Sequence, residues 1–272
     1  MNDDIIEITG TREGPTSVII AGVHGDEKSG VLAFLNMLST LKIKFGTVFF
    51  ICGNPQAIKL NTRFTEANLN RMFKSDELLS DTEKTSYEYQ RAQTIKTYLD
   101  KSEALLDIHC SFTPQSKPFI ICESNGYGIA SCLPVDLTVS GFDKVEPGGT
   151  DYYMNINGKI GICIECGYLG DESSITIAEQ SIDAFLKTRG HIKESVLPNK
   201  QNRITMYSLY ITKTESFVLN KPFEDFAEIK KGELIGYDGQ QPINAGRDSI
   251  ILFARNRSSK NEEAFLLGEY VK

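Results

Sequence analysis

The 272-residue chain has no tryptophan and only three histidines, so any histidine chemistry must be built from His24, His109 and His191. It has no excess of positive charge. Its 29 Lys and Arg against 36 Asp and Glu leave a net charge of −7, which argues against the basic face that non-specific nucleic-acid binding requires. No apolar run approaches the roughly 18 residues of a membrane span. Met1-Asn2-Asp3-Asp4 is acidic where a secretory signal would begin basic and turn apolar. No G-x-G-x-x-G follows the first strand-like run and no phosphate-loop Lys-Ser/Thr appears, so nothing supports nucleotide binding. Internal repeats and low-complexity tracts are absent too. The cysteines Cys52, Cys110, Cys122, Cys132, Cys163 and Cys166 lie mostly in or beside apolar runs. That placement suits reduced, buried thiols of the cytoplasm better than a disulfide framework. Nothing in the chain signals an oligomeric state.

What is present is an ordinary globular composition, 40% hydrophobic and 24% charged, in a chain long enough to bury a sizeable core. Residues Val18–Val23 and Thr47–Cys52 read as buried strands, with helical spacing between them over Gly30–Leu41. A longer amphipathic helix is expected over 81–101, opened by Asp81 as N-cap. Strands follow at Leu105–Cys110, Phe119–Cys122 and Gly161–Cys166, and a helix near Ile175–Thr188. Alternation of this kind implies an α/β sheet with parallel pairs, whose ligands bind beyond the carboxyl ends of the strands. After Leu197-Pro198-Asn199 the pattern changes to strands and turns alone. This predicts a first domain over 1–197 and a small β-rich domain over 198–272.

Two histidines sit where apolar runs end: Val18–Val23 runs into His24, and Leu105–Ile108 into His109. His24-Gly25-Asp26-Glu27 supplies a His-x-x-Glu pair, and with a remote His109 it makes the ligand set of a catalytic zinc with its fourth position open. Either histidine alone reads equally well as a hydrogen-bonded residue at a strand end. Asp26 is expected to cap the following helix or to support the site from outside. Asp107 shares a strand face with His109 and is a candidate to orient it.

The polar stretch after the next strand holds Gly53-Asn54-Pro55, Arg63 and Asn68-Leu69-Asn70-Arg71-Met72-Phe73. Arginine is suited to paired hydrogen bonds with carboxylates and to stabilising an oxyanion, although a lone surface arginine needs no such role. Glu165 stands alone in the apolar Gly161–Gly167 run, where burial would raise its pKa towards the range of a general base. A salt-bridged strand residue is the plainer alternative. Cys163 and Cys166 face opposite sides of that strand and cannot share a metal or a disulfide. Cys110 points away from His109 on its strand. For His191, after Gly190, a helix C-terminal cap is explanation enough.

In this order, Gly22–Glu27, Gly53-Asn54-Pro55, Arg63, Asn68–Phe73, Asp107-Ile108-His109 and Ile164–Gly167 resemble the succinylglutamate desuccinylase/aspartoacylase family, within the wider zinc-carboxypeptidase group. The likeness spans roughly residues 18–170, with a weaker echo around Gly232–Gly239 and Glu262–Phe265. It implies an α/β, zinc-carboxypeptidase-like mixed sheet flanked by helices, with a small β-rich C-terminal domain. It implies one zinc on His24, Glu27 and His109, and Glu165 as base towards the activated water. It further implies Arg63 polarising the scissile carbonyl, with Asn70 and Arg71 holding a substrate carboxylate. The expected partner is a small acylated substrate.

The chain also departs from the family. Aspartoacylases carry a further substrate-binding arginine shortly before the base, and Thr150–Asn157 contains none. Their C-terminal tyrosine has no counterpart in Phe253–Phe265, and Asn68 stands where many relatives carry Asp. These losses make a substrate as anionic as N-acetylaspartate or succinylglutamate doubtful. The expectation is a zinc-dependent deacylase with changed specificity. A carboxypeptidase acting on short peptides and a zinc-binding sensor without turnover are the alternatives.

Overall fold

The structure is a computed structural model and describes residues 4–271. Residues 5–168 build seven strands: β1 (Ile5–Thr9), β2 (Arg12–Ala21), β3 (Phe45–Cys52), β4 (Ala104–Ser111), β5 (Phe119–Cys122), β6 (Leu137–Ser140) and β7 (Ile160–Tyr168). Between and after them come α1 (Ser29–Leu38), α2 (Pro55–Leu60), α3 (Asp81–Thr85), α4 (Tyr87–Leu99), α5 (Tyr127–Ala130), α6 (Phe142–Val145), α7 (Thr150–Ile156) and α8 (Ser173–Thr188). The remainder is β8 (Asn202–Ile211), β9 (Phe217–Leu219), β10 (Ala227–Ile229), β11 (Leu234–Asp238), β12 (Gln241–Asn244), β13 (Ser249–Leu252) and β14 (Glu263–Tyr270). Eleven strands form one mixed sheet, in the order β1-β3-β2-β4-β7-β5-β6-β8-β14-β13-β10, and β12-β11-β9 form a small second sheet. The expected α/β class, with a small β-rich tail, is what forms.

The apolar runs are continuous because both faces of the central strands are covered. On one face α1 and α8 pack Ala33, Phe34, Ile182 and Phe185 against Ile19, Leu106 and Ile162. On the other, α4 and the 69–73 segment pack Ala92, Ile95, Leu69 and Phe73 against Val18, Ile20 and Leu105. Successive strand residues therefore feed alternate cores, as pleating requires. Strands β3, β2, β4 and β7 run parallel. The chain leaves β2 for β3 on one side and returns to β4 on the other. That reversal opens a crevice beyond their carboxyl ends, where ligands of α/β sheets bind. Beyond β6 the sheet continues without interruption: β8 pairs with it in parallel, from Leu137↔Asn202 to Ser140↔Thr205. Among the described residues no helix is long and apolar enough to cross a membrane.

The 81–101 region differs from the expectation. Ser80, not Asp81, is the N-cap, in a capping box with Glu83. Ser86 then takes an extended conformation and caps a second helix through its bond from the Tyr89 amide. Two serines able to accept from the backbone split the periodic stretch in two. Asp26 caps nothing, since Lys28 precedes α1 with no side-chain cap. At the end of α8, Gly190 has φ 79°, and the amides of Gly190 and His191 bond to Lys187 and Leu186 carbonyls. This is the Schellman cap anticipated there. The His191 ring adds bonds to the Phe45 carbonyl and the Ser17 hydroxyl, both 2.9 Å.

Candidate active site

The end of β2 turns sharply through Gly22, at φ 70°, and throws His24 and Glu27 across the crevice. Gly25 in that turn lies against α2; a Cβ there would stand 2.1 Å from the Ala57 carbonyl carbon. Only glycine lets the two segments close. The neighbouring strand β4 brings His109 to the same place, and all three side chains are 3% exposed. Their nitrogen and carboxylate ligand atoms lie within 4.8 Å of one another. Glu27 bridges the rings, with Oε1 2.7 Å from His24 Nδ1 and Oε2 2.9 Å from His109 Nδ1. The Cys110 amide donates to Oε2 at 3.0 Å.

Each ring is held from behind. His24 Nε2 meets Asn68 Oδ1 at 3.1 Å, and His109 Nε2 faces Asp107 Oδ1 at 3.2 Å. The Nδ1 atoms of both rings turn inward onto the two oxygens of Glu27. Two ring nitrogens converging on a carboxylate make a place that fits a cation, and a two-His, one-carboxylate donor set suits zinc. Burial and the nearby Arg63 lower the His24 pKa to about 4, which keeps that ring neutral as a ligand must be. Burial also acts to lower His109, but the Asp107 and Glu27 carboxylates outweigh it and hold this ring well above the ordinary value. Glu27 in turn is held well below the usual carboxylate range, since the two histidines overcome its burial. Thr150 on α7 donates to the second oxygen of Asp107, fixing the expected partner of His109.

Glu165 of β7 is the register partner of His109 on β4, so both side chains leave the sheet on one face. It is 7% exposed, and among the described residues its Oε2 has no hydrogen-bond partner. Burial first, and Glu27 second, push its pKa well above the ordinary value. The plainer reading, a salt-bridged strand residue, does not describe it. Cys163 joins the core on its face and Cys166 the core on the other, as the spacing predicts.

His24, Glu27, Arg63, Asn70, Arg71, Asp107, His109 and Glu165 line one cavity of about 540 Å³; Asp26, Asn68 and His191 do not. Arg63 donates to Glu27 Oε1 at 3.1 Å and lies 4.9 Å from the Phe112 ring. Asn70 turns a buried Oδ1 without a partner among the described residues. Arg71 arrives already paired. Its Nε and Nη2 donate to the two oxygens of Glu263 at 2.8 and 2.9 Å, and Nη2 also reaches Glu146. Arg71 is pushed above its ordinary value by these carboxylates. Burial raises Glu146 to about 8; Arg71 counters burial and holds Glu263 down at about 2. The two acids thus retain one proton between them at neutral pH.

The stretch lacking an arginine is α7, which turns Asp151 and Tyr152 into the cavity instead. Burial, with Asp143 beside it, raises Asp151 to about 7. The tail closes the far wall with Phe253, Ala254 and Arg255. Sequence reasoning missed Glu146, Asp151 and Arg255 as parts of this cavity, and Glu263 as the partner of Arg71. Only Glu263 lay in a stretch of family likeness; the others sit in polar segments with no period to betray an inward face.

Fold and site together describe a hydrolase of the α/β class. The catalytic-domain model of succinylglutamate desuccinylases and aspartoacylases matches residues 13–192, and the chain belongs to this family of deacylating enzymes. It is 24% identical over 276 residues to the succinylglutamate desuccinylase of Vibrio campbellii, covering 91% of this chain and 78% of that one. It is 32% identical over 121 residues to an N-acyl-aromatic-L-amino acid amidohydrolase of Xenopus tropicalis, covering 41% and 39%. The crystal structure of succinylglutamate desuccinylase from Vibrio cholerae superposes with TM-score 0.82 at 19% identity, over 99% of this chain and 86% of that one. The ectoine utilization protein EutE (DoeB) from Ruegeria pomeroyi superposes with TM-score 0.72 at 20% identity, over 97% and 88%.

Proposed function

We propose that the protein is a zinc-dependent deacylase that hydrolyses the amide or ester bond of a small N-acylated amino acid or related compound. The observation that carries this reading is the convergence of two ring Nδ1 atoms and the Glu27 carboxylate beside a buried Glu165 whose Oε2 has no partner among the described residues. His24, Glu27 and His109 would hold one zinc ion, which when bound polarises a water molecule and the scissile carbonyl. Glu165, its pKa raised by burial, accepts the proton of that water and returns it to the leaving amine. Arg63 donates to the oxyanion as negative charge grows on the carbonyl oxygen. Asn70, with its Oδ1 free, orients the substrate, and Arg71 binds its carboxylate only to the extent that Glu146 and Glu263 release it. A cavity of about 540 Å³ is of the size that takes a small ligand. Acidic Asp151 in place of an arginine, and a partly aromatic wall, favour a substrate less anionic than succinylglutamate. The buried thiols Cys122 and Cys163 suit a cytoplasmic enzyme.

Assays of N-acyl amino acids, their esters and short peptides test the reading. Hydrolysis should stop with a chelator and return with zinc, and Glu165→Gln should lower kcat by about 10²–10⁴-fold with an unchanged melting temperature. Wild-type turnover by that variant would sink the mechanism.

A further inference from the structure

Arg71, the residue that the family resemblance assigns to a substrate carboxylate, is bonded to both oxygens of Glu263 and to Glu146. A substrate anion would have to displace two acidic side chains already in place, Glu263 ionised and Glu146 holding a proton. The cavity nevertheless contains another cation, Arg255, that forms no ion pair among the described residues. Strand β13 ends at Leu252; the backbone of the next residue, Phe253, turns at φ 56° and its amide is tied to Asp225 Oδ1 at 3.0 Å. The chain then carries Arg255 to the cavity wall, where its own amide bonds to the Ala264 carbonyl at 3.0 Å.

Among the described residues the Arg255 Nε is buried with no hydrogen-bond partner, and no ion pair within 4.0 Å involves its guanidinium. Its surroundings oppose its charge. Burial acts first, then Arg257 and Arg63, and together they outweigh the attraction of Glu263 and Glu146 and lower its pKa to about 10. Arg257 donates to the Glu263 carbonyl at 2.6 Å, so it is engaged elsewhere. Phe112 stands between the other two cations, its ring 4.9 Å from Arg63 and 5.9 Å from Arg255. A planar guanidinium fixed against an aromatic ring, without a counterion, costs free energy until an anion arrives. A carboxylate matches its fork with two parallel hydrogen bonds.

We propose that Arg255 is the anchor for the substrate's carboxylate and selects N-acyl amino acids with a free carboxylate over their neutral esters and amides. The inference rests on the reading of the cavity as a deacylase site. It moves the carboxylate-binding role from Arg71 to a residue of the C-terminal tail. Substrates bearing one carboxylate fit this arrangement, with Arg71 held in reserve by its two acids.

Calorimetric titration of the zinc-loaded Glu165→Gln protein reads binding without turnover. The probes are N-acetylalanine, N-acetylmethionine and N-acetylphenylalanine, each with its carboxamide. The acids should bind more tightly than the carboxamides. Arg255→Met, introduced in the same background, should weaken acid binding by about 10–100-fold, and Arg255→Lys should restore part of it. Carboxamide binding and the melting temperature should not change. The proposal is overturned if no acid binds, or if acids bind no better than carboxamides while Arg255 is present. It is equally overturned if the Met variant weakens both probes alike, which would mark a structural role. Absence of hydrolysis by the wild-type enzyme would count against the deacylase reading and leave the binding comparison standing.

Discussion

The charged groups of the cavity divide into those that are satisfied and those that are kept waiting. Glu27, with two rings and an amide on its oxygens, is ionised despite full burial. Asp151 is the opposite case: burial and the neighbouring Asp143 hold its pKa up at about 7. A carboxyl whose folded pKa exceeds the unfolded one near 3.9 retains its proton in the fold while the unfolded chain has lost it. Its contribution to stability is therefore complete at acid pH and disappears as pH rises through about 7. Asp151→Asn should flatten the decline of the melting temperature between pH 5 and 8, giving a gain of about 2–4 °C at pH 8 for each kcal/mol recovered. Calorimetry at several pH values checks this; a variant less stable than wild type at pH 8 would contradict it. His24, His109 and Glu165 stood out in the sequence because each ends or interrupts an apolar run, where a polar side chain needs a reason, and Glu27 by its spacing from His24. Arg255, Glu146 and Asp151 stand among other polar residues, and only the fold reveals that they turn inward.

At the scale of elements, the same contrast explains what local pattern could and could not say. The strands were legible because continuous β-branched runs are diagnostic of a sheet covered on both faces. The break in the 81–101 helix was not, because Ser86 acts through a cap and not through periodicity. That break has a consequence for the site. It lets α4 start afresh and bury Glu88, which is 0% exposed. Glu88 accepts from the amides of Thr65, Glu66 and Ala67, the Thr65 hydroxyl and the Asn54 side chain. One carboxylate thus holds the loop that carries Arg63, Asn68, Asn70 and Arg71. Glu88→Gln turns an amide group towards donors that need acceptors. The expected loss is about 2–3 kcal/mol, seen as a lower denaturant midpoint. KM should rise with it, because the loop carries Arg63 and Asn70, to which the proposed function gives substrate contacts. An unchanged midpoint and KM would show that the loop is held by other means.

Across the whole molecule, the decisive feature is how residues 198–272 meet the rest. The change of pattern at Pro198 was visible in the sequence, but strand pairing between remote segments was not. No local rule says that β8 will lie beside β6, some sixty residues earlier. The joint is extensive. Ile204, Met206, Ile250, Leu252 and Leu266 of the tail share a core with Phe119, Ile121, Val139 and Phe142. Asp225 accepts from the hydroxyls of Ser111, Thr113 and Ser116 beside the site, and from the Phe253 amide that precedes Arg255. A chain ending at residue 197 would leave β6 as an open edge with its apolar partners exposed, the arrangement that promotes edge-to-edge aggregation. The truncated protein should therefore be insoluble, or lack a cooperative transition, while the full chain melts in one step. The cavity would also lose Arg255, so any soluble fraction should show no preference for acids over carboxamides. A soluble 1–197 fragment that melts cooperatively and keeps that preference would mean that the tail is an accessory. The continuity of the sheet argues that it is part of the site.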